Sequence, residues 1–323
     1  MGLNRILFFG TPEFAVPTLE RLLDSSYEVV GVVTQPDRPS GRGQRVSEGP
    51  VKRVALSRGI PVMQPERLRD EAFMEHLRAL EADLAVVAAY GKILPESLLA
   101  IPPRGFLNVH ASLLPRYRGA APVQRAVMAG DRQTGVSIMR VVKELDAGPV
   151  FAASTCPIGP DETADQVEHT LALLGAALLV RVVEDLAAGR AQATPQDEGA
   201  STYAPRLTKE EGSIDWSRPA EVIHDHVRGL HPWPHAFTFL DGARYIILRT
   251  MLVIGAAGLE RGTGEVPRPG EILRAEGDCL DVATGAGGAL RLVTIQPEGR
   301  RPMSSRELLA GHRLQTGQVF RPA

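Results

Sequence analysis

The chain has 323 residues, more than one hydrophobic core normally serves, so two domains are expected. Hydrophobic residues make up 44% and charged residues 23%; the formal net charge of −2 excludes an overall electrostatic pull toward nucleic acid or anionic lipid, so such a partner would need a local basic patch. The two cysteines, Cys156 and Cys279, stand far apart in no metal or redox spacing, which argues against a disulfide framework and fits a reducing cytoplasm.

The opening "MGLNRILFFG" carries too short an apolar run for a signal peptide, and "RILFFG" (5–10) reads as a strand. A helix over 12–25 follows: Thr11 can cap it, Pro12 fits its first turn and Glu13 suits its positive end. No G-x-G-x-x-G spacing occurs there, which argues against a nicotinamide dinucleotide site, and no Walker-type loop occurs either. Strands are then expected at "EVVGVVTQ" (28–35), "DLAVVAAY" (83–90), "FLNVH" (106–110) and "GVSIMRVV" (135–142). Helices fit at 50–58, 70–81 and 121–129, the last ending at Gly130. The near-continuous apolar strands imply burial on both faces, as in a parallel sheet, and the alternation implies a doubly wound α/β domain.

The longest apolar run, "LALLGAALLV" (171–180), is about half a membrane span and reads as a buried helix. Thr163 and Gln166 form a capping box before it, and Gly189 ends it. Residues 190–207 lose periodicity and read as a linker, so the expected domains are 1–189 and 208–323. Beyond it, short strands with Gly-rich turns suggest a small β-barrel or sandwich, interrupted by a long loop at 255–270. From Arg190 onward there are 16 basic and 16 acidic residues, so this half is not basic overall. His224, His226, His231 and His235 cluster without a cysteine; no metal is expected, and "HPWP" (231–234) reads as a packed turn with Trp233 partly buried.

The stretch "NVHASLLPRYRGAAPVQ" (108–124) carries the chemistry. Residues two apart on a strand share a face, so Asn108 and His110 project together while Leu107 and Val109 point into packing. Ligands of such sheets bind at the carboxyl ends of strands, and this strand ends at His110. An amide that donates without charge and an imidazole that shuttles protons near neutral pH suit an oxygen that turns negative in the transition state. That pattern fits direct transfer of an acyl-type group to an external nucleophile. Asp146, in "LDAGPV" (145–150), is the candidate to orient the imidazole.

"NVHASLLPRYRGAAPVQRAV", with "AYGKILP" (89–95) before it and "LDAGPV" after it, resembles the folate-dependent formyltransferases. "FFGTPEFAVPTL" (8–19), "TQPDRPSGRGQRV" (34–46), "LTKEEGSIDWS" (207–217) and "HPWP" narrow the resemblance to the branch acting on methionyl-tRNA, over nearly the whole chain and in order. The resemblance implies a Rossmann-like N-terminal domain and a C-terminal OB-like β-barrel that holds tRNA. It implies 10-formyltetrahydrofolate as formyl donor, initiator methionyl-tRNA as acceptor, no metal, no membrane, and a cytoplasmic monomer. Asn108 and His110 would contact the formyl oxygen, and Asp146 would assist through His110 or a bound water. Folate contacts would fall on Ser112, Leu113, Leu114 and Pro115, and around the backbone of Tyr90, Gly91, Ile93 and Leu94. The non-helical "SLLP" is expected to offer free backbone groups to a flat heterocycle. Arg38, Arg42 and Arg45, in a Gly- and Pro-rich loop, and Lys209 would meet tRNA; "GRGQR" stands here where the family more often has "GRGKK". A formyltransferase acting on another amine, such as a sugar nucleotide or glycinamide ribonucleotide, or a hydrolase discharging the formyl group to water, would share the site but give no reason for the 36–53 loop and the barrel. A non-catalytic OB-type RNA-binding protein would leave the N-terminal site unexplained.

Overall fold

The structure, a computed structural model, describes residues 2–37, 39–40, 45–253 and 266–323, with the backbone alone at 39–40 and 45–46. It divides into two units. The first holds Met1–Pro122, Gln133–Pro157 and Glu168–Pro205; the second holds Val123–Arg132, Ile158–Val167 and Arg206–Ala323.

The first unit is built on a seven-stranded sheet. Its strands are β1 (Arg5–Gly10), β2 (Glu28–Val33), β3 (Val62–Met63), β4 (Leu84–Ala88), β5 (Phe106–His110), β6 (Gln133–Arg140) and β7 (Val150–Pro157). Their order is β7-β6-β5-β4-β1-β2-β3. β1 to β5 pair in parallel; the apolar residues of β1, β2, β4 and β5 are buried on both faces, and Val62 and Met63 on the edge strand β3 are half-buried. β6 and β7 are antiparallel, which corrects the wholly parallel expectation for 135–142. An apolar run reports burial on both faces and carries no information about direction.

Helices α1 (Val16–Leu23), α2 (Pro50–Ser57), α3 (Glu71–Ala79) and α4 (Glu96–Leu99) connect the parallel strands. Asp70 caps α3, accepting from the Phe73 amide at 3.0 Å. Thr11 does not cap a helix. Its hydroxyl donates to the Tyr90 carbonyl at 3.3 Å and accepts from the Gln35 amide at 3.3 Å, so it ties together the chain leaving β1, β2 and β4. The Asp83 carboxylate accepts from the Asn4 and Arg5 amides at 2.8 and 2.9 Å, and these two N–H groups hold its pKa below the usual carboxylate range.

Helix α5 (Pro122–Met128) precedes the 24-residue α6 (Ala164–Ala187). The Gln166 side chain accepts from the Thr163 amide at 3.0 Å, the reach-back half of the expected capping box, and Gly189 adopts φ +70° beyond the helix. In the middle of α6, a Cβ on Gly175 would lie 2.6 Å from the Val109 side chain, so only glycine lets the helix sit this close to β5. Among the described residues no helix is long and apolar enough to cross a membrane.

Residues 190–205 pack as part of the first unit. Thr194 bridges Val150, and Tyr203–Ala204 pairs in parallel with Arg118–Gly119.

In the second unit, β8 (Ala236–Leu240), β9 (Ala243–Leu252), β10 (Ile272–Glu276), β11 (Cys279–Ala283) and β12 (Ala289–Pro297) form an antiparallel sheet. Its order is β8-β9-β12-β11-β10, with β13 (Met303–Ser304) beside β12. The C-terminal segment joins the two outer strands. Phe320 donates to Gly270 O at 2.8 Å just before β10, and Arg321 exchanges two backbone bonds with Phe239 on β8. The C-terminal segment thereby bridges the two outer strands, closing the sheet toward a barrel. A Cβ on Gly270 would lie 2.2 Å from Phe320 O, and its φ is +86°. Inside lie Ile214, Tyr245, Leu280, Leu292 and Phe320, with Trp216 stacked on Phe320 at 6.0 Å. Trp216 is the core tryptophan; Trp233 is 49% exposed.

Helices α7 (Ala220–Gly229) and α8 (Ser305–Gly311) complete the second unit. Arg125 on α5 forks onto Glu211 at 2.5 and 3.1 Å, which holds the Glu211 carboxyl below its ordinary pKa. Of the four clustered histidines, His224 bonds Thr250 and the Pro160 carbonyl, and His231 lies 5.2 Å from His235 ring to ring.

Candidate active site

Strand β5 puts Asn108 and His110 on one face, and Val109, facing α6, on the other. His110 is 6% exposed. Its Nε2 lies 3.0 Å from the Tyr117 carbonyl. A carbonyl can only accept, so this nitrogen carries a proton. Its Nδ1 faces Asp146 Oδ2 at 3.7 Å.

Asp146 reaches this position by an indirect route. β6 runs antiparallel to β5, so the chain leaving β6 starts beside Phe106, at the far end of β5 from His110. The 141–149 loop then folds back. Gly148 permits the fold, since a Cβ there would lie 1.8 Å from Arg140 O. Asp146 itself holds φ +48°, an uncommon region for a non-glycine residue. Its Oδ2 accepts from the Gly119 amide at 2.9 Å, and its main-chain carbonyl accepts from Gln196 Nε2 at 2.7 Å.

The sequence thus places Asn108, His110 and Asp146, and the structure brings His110 and Asp146 together. Sequence reasoning missed the Tyr117 carbonyl, the Gly119 amide and Gln196. Two of these are backbone groups, which no side-chain pattern marks.

The "SLLP" turn differs from its expected character. Ser112, Leu113 and Pro115 already accept through their carbonyls, from Ser137 Oγ, Arg116 N and Thr202 N, and the Leu114 amide donates to Ser137 Oγ at 3.1 Å. The Ser112 hydroxyl donates to Arg116 O at 2.6 Å. The turn is therefore held by its own bonds and by Ser137, the residue paired with His110 on β6. What it offers outward is the half-buried side chains of Leu113, Leu114 and Pro115.

The 89–95 segment behaves similarly. Tyr90 is 1% exposed, packs edge-on against Phe9, and burial pushes its phenol pKa up to about 12. Its carbonyl accepts from Gln35 Nε2 at 2.7 Å. Gly91 has φ +81°, Leu94 is partly buried, and Ile93 is 84% exposed. Lys209 is exposed. Arg38, Arg42 and the Arg45 side chain lie outside the described residues. An open cavity of about 440 Å³, lined by Met63, Gln64, Arg67, Phe73 and His76, sits beside β3, at the opposite edge of the sheet from β7.

Residues 4–183 match the family model described as formyl transferase, and residues 206–313 match the model for the formyl transferase C-terminal domain. The chain belongs to the formyl transferase family. It is 46% identical over 98% of its length to the methionyl-tRNA formyltransferase of Trichlorobacter lovleyi, covering 97% of that protein. It is likewise 46% identical over 98% of its length to that of Sorangium cellulosum, covering 99% of it. The solved N-formyltransferase of Helicobacter canadensis, in complex with folinic acid and dTDP-3-aminofucose, superposes with a TM-score of 0.66 at 15% identity. That match covers 90% of this chain and 98% of the other, and it shows the fold. For a formyl transferase, a charge-neutral amide and an imidazole on one strand face are the expected tools for an acyl oxygen that becomes negative.

Proposed function

We propose that this formyl transferase moves the formyl group of 10-formyltetrahydrofolate to the α-amino group of initiator methionyl-tRNA, acting as a cytoplasmic monomer. The observation that carries the reading is the Asn108–His110 face with Asp146 brought back to it, in a chain whose likeness to enzymes of that name runs end to end. The folate fits the residues present: the half-buried Leu113, Leu114, Pro115 and Leu94, and the exposed Ile93, are apolar surface for a flat heterocycle. Because the backbone of the turn is already bonded, those side chains and the remaining main-chain groups around Gly91 do the holding, with Ser112 and Tyr90 supporting from behind.

The donor supplies a formyl carbon open to attack by an amine. An α-amino group with an ordinary pKa of about 7.7–8.0 is partly neutral at pH 7, so the protein needs no strong base to prepare it. Asn108 donates to the oxygen that becomes negative, and its uncharged amide binds that oxygen more strongly as charge grows. His110 already carries a proton on Nε2, shared with the Tyr117 carbonyl. The ammonium formed when the amine attacks gives its proton to the imidazole, and the resulting imidazolium, released from the Tyr117 carbonyl, returns a proton to the departing folate nitrogen as the C–N bond breaks, so the ring ends neutral. Asp146, fixed by Gly119, keeps the ring oriented and stabilises it when it is positively charged. Arg38, Arg42, Arg45 and Lys209 supply positive charge for tRNA phosphates.

The test mixes the purified protein with labelled 10-formyltetrahydrofolate and, separately, initiator methionyl-tRNA, elongator methionyl-tRNA, an amino-sugar nucleotide, glycinamide ribonucleotide and water. Label should move to initiator methionyl-tRNA at the highest kcat/KM. Faster transfer to the sugar nucleotide, to glycinamide ribonucleotide or to water would overturn the reading.

A further inference from the structure

Residues 190–205 look like a connector in the sequence, yet they touch the Asp146 cluster from both sides. Thr194 bridges Val150, at the end of the loop that carries Asp146. Tyr203–Ala204 pairs with Arg118–Gly119, the pair whose glycine amide binds the Asp146 carboxylate. Between these anchors stands Gln196.

Its amide is used in full. Nε2 donates to the Asp146 carbonyl and to the Gly148 carbonyl, both at 2.7 Å. Oε1 accepts two bonds from the Arg118 guanidinium, at 3.0 and 2.8 Å. Glu198 in turn pairs with Arg118 at 2.7 Å, and this pairing raises the Arg118 pKa.

We propose that Gln196, held by Arg118, is a positioning residue for the formyl-transfer step, acting through Asp146. The inference rests on the function proposed above. Asp146 sits at φ +48°, a conformation that costs free energy for any residue with a Cβ and persists only where its surroundings enforce it. Gln196 enforces it by holding the Asp146 carbonyl from one side while the Gly119 amide holds the carboxylate from the other. With Gln196 gone, the backbone relaxes toward negative φ, and the carboxylate leaves both Gly119 and the His110 ring. Arg118 belongs to the same device twice: its side chain orients the Gln196 amide, and its main chain leads directly into Gly119.

The test uses the full chain and five variants: Gln196→Met, Arg118→Met, Asp146→Ala, Gln196→Met combined with Asp146→Ala, and His110→Ala for assignment. Methionine matches glutamine in length and removes all four bonds. With initiator methionyl-tRNA and 10-formyltetrahydrofolate, Gln196→Met should lower kcat about tenfold while each KM stays within about twofold. In the Asp146→Ala background the same change should cost less than about twofold, because the two residues act as one unit. Arg118→Met, which leaves the Gln196 amide present but unfixed, should fall between Gln196→Met and the parent. The His110 ring resonances, assigned by their loss in His110→Ala, should move in Gln196→Met at constant pH. A folded Gln196→Met enzyme with parental kcat would overturn the inference. So would an equal loss in both backgrounds with the His110 resonances unmoved. Should the parent transfer no formyl group to methionyl-tRNA, the proposed function fails instead, and the His110 spectrum alone decides the role of Gln196.

Discussion

His110 is fixed on two sides, by a main-chain carbonyl and by a carboxylate. The Tyr117 carbonyl accepts a hydrogen bond from Nε2–H, and the Asp146 carboxylate faces Nδ1. A ring so held keeps one orientation, which a proton shuttle requires. His110→Ala removes the shuttle, and Asp146→Ala removes the charge that stabilises the ring when protonated. Each change should lower kcat by about a hundredfold or more with the fold intact, because each acts on the transition state. Steady-state kinetics beside thermal unfolding would check this; near-parental turnover by a folded Asp146→Ala variant would remove that residue from the mechanism. At this scale the sequence was informative where a side chain does the work. Asn108 and His110 stand two apart on an apolar strand, and their common face follows from period two alone. The Gly119 amide and the Tyr117 carbonyl were out of reach, since every residue carries such groups. Gln196 was out of reach for another reason: the partners of its Nε2 lie about fifty residues away and are main-chain oxygens.

Among the elements, the loop from β6 to β7 has a strict geometry. Gly148 faces Arg140 O where a Cβ would lie 1.8 Å from that oxygen. Backbone, not a flexible side-chain tip, is the obstacle, so Gly148→Ala must displace the loop and Asp146 with it. The expected outcome is a loss of kcat of about tenfold or more and a lowered melting temperature, measured on one preparation. Helix α8 gives a pH-dependent counterpart. Ser304 and Glu307 form a complete capping box, and Arg301 pairs with Glu307 at 2.7 Å. The Ser304 amide, then Arg301, pull the Glu307 pKa to about 2, below the ordinary glutamate value of about 4.3. A depressed folded-state pKa means that the stabilisation is complete above about pH 4.3 and disappears as pH falls toward about 2. The melting temperatures of the parent and Glu307→Gln should therefore differ at pH 6 and converge near pH 2. A constant difference across that range would refute the assignment. Element positions were mostly legible: β1 and β5 fall where the apolar runs put them. Strand direction was not, because β6 buries its residues in an antiparallel pairing as fully as β4 does in a parallel one.

For the whole molecule, the order of the chain and the order of the units diverge. A cut near Leu207 looks, in the sequence, like a separation of a complete α/β domain from a barrel. Val123–Arg132 and Ile158–Val167 belong with the second unit, however, and each is anchored to residues beyond the cut. Arg125 forks onto Glu211. The Pro160 carbonyl meets His224 Nε2 at 3.0 Å, and the Glu162 carbonyl accepts from Arg228 at 3.0 Å. Met128 lies against Gly229, where a Cβ would come within 2.4 Å of its side chain. Truncation after Pro205 leaves both segments attached to the first unit but without these partners. Met128, whose side chain lies against Gly229 in the intact chain, is an apolar residue that loses this cover. Exposed apolar surface of that kind destabilises and promotes association. The 1–205 fragment should therefore melt well below the full chain, bind a fluorescent apolar dye, and hold 10-formyltetrahydrofolate more weakly even though every proposed folate residue is present. Adding the separate 206–323 chain in trans should recover part of the melting temperature. A fragment that unfolds cooperatively at the parental temperature would show that residues 1–205 do not need these partners, and that the cut lies at a true domain boundary after all.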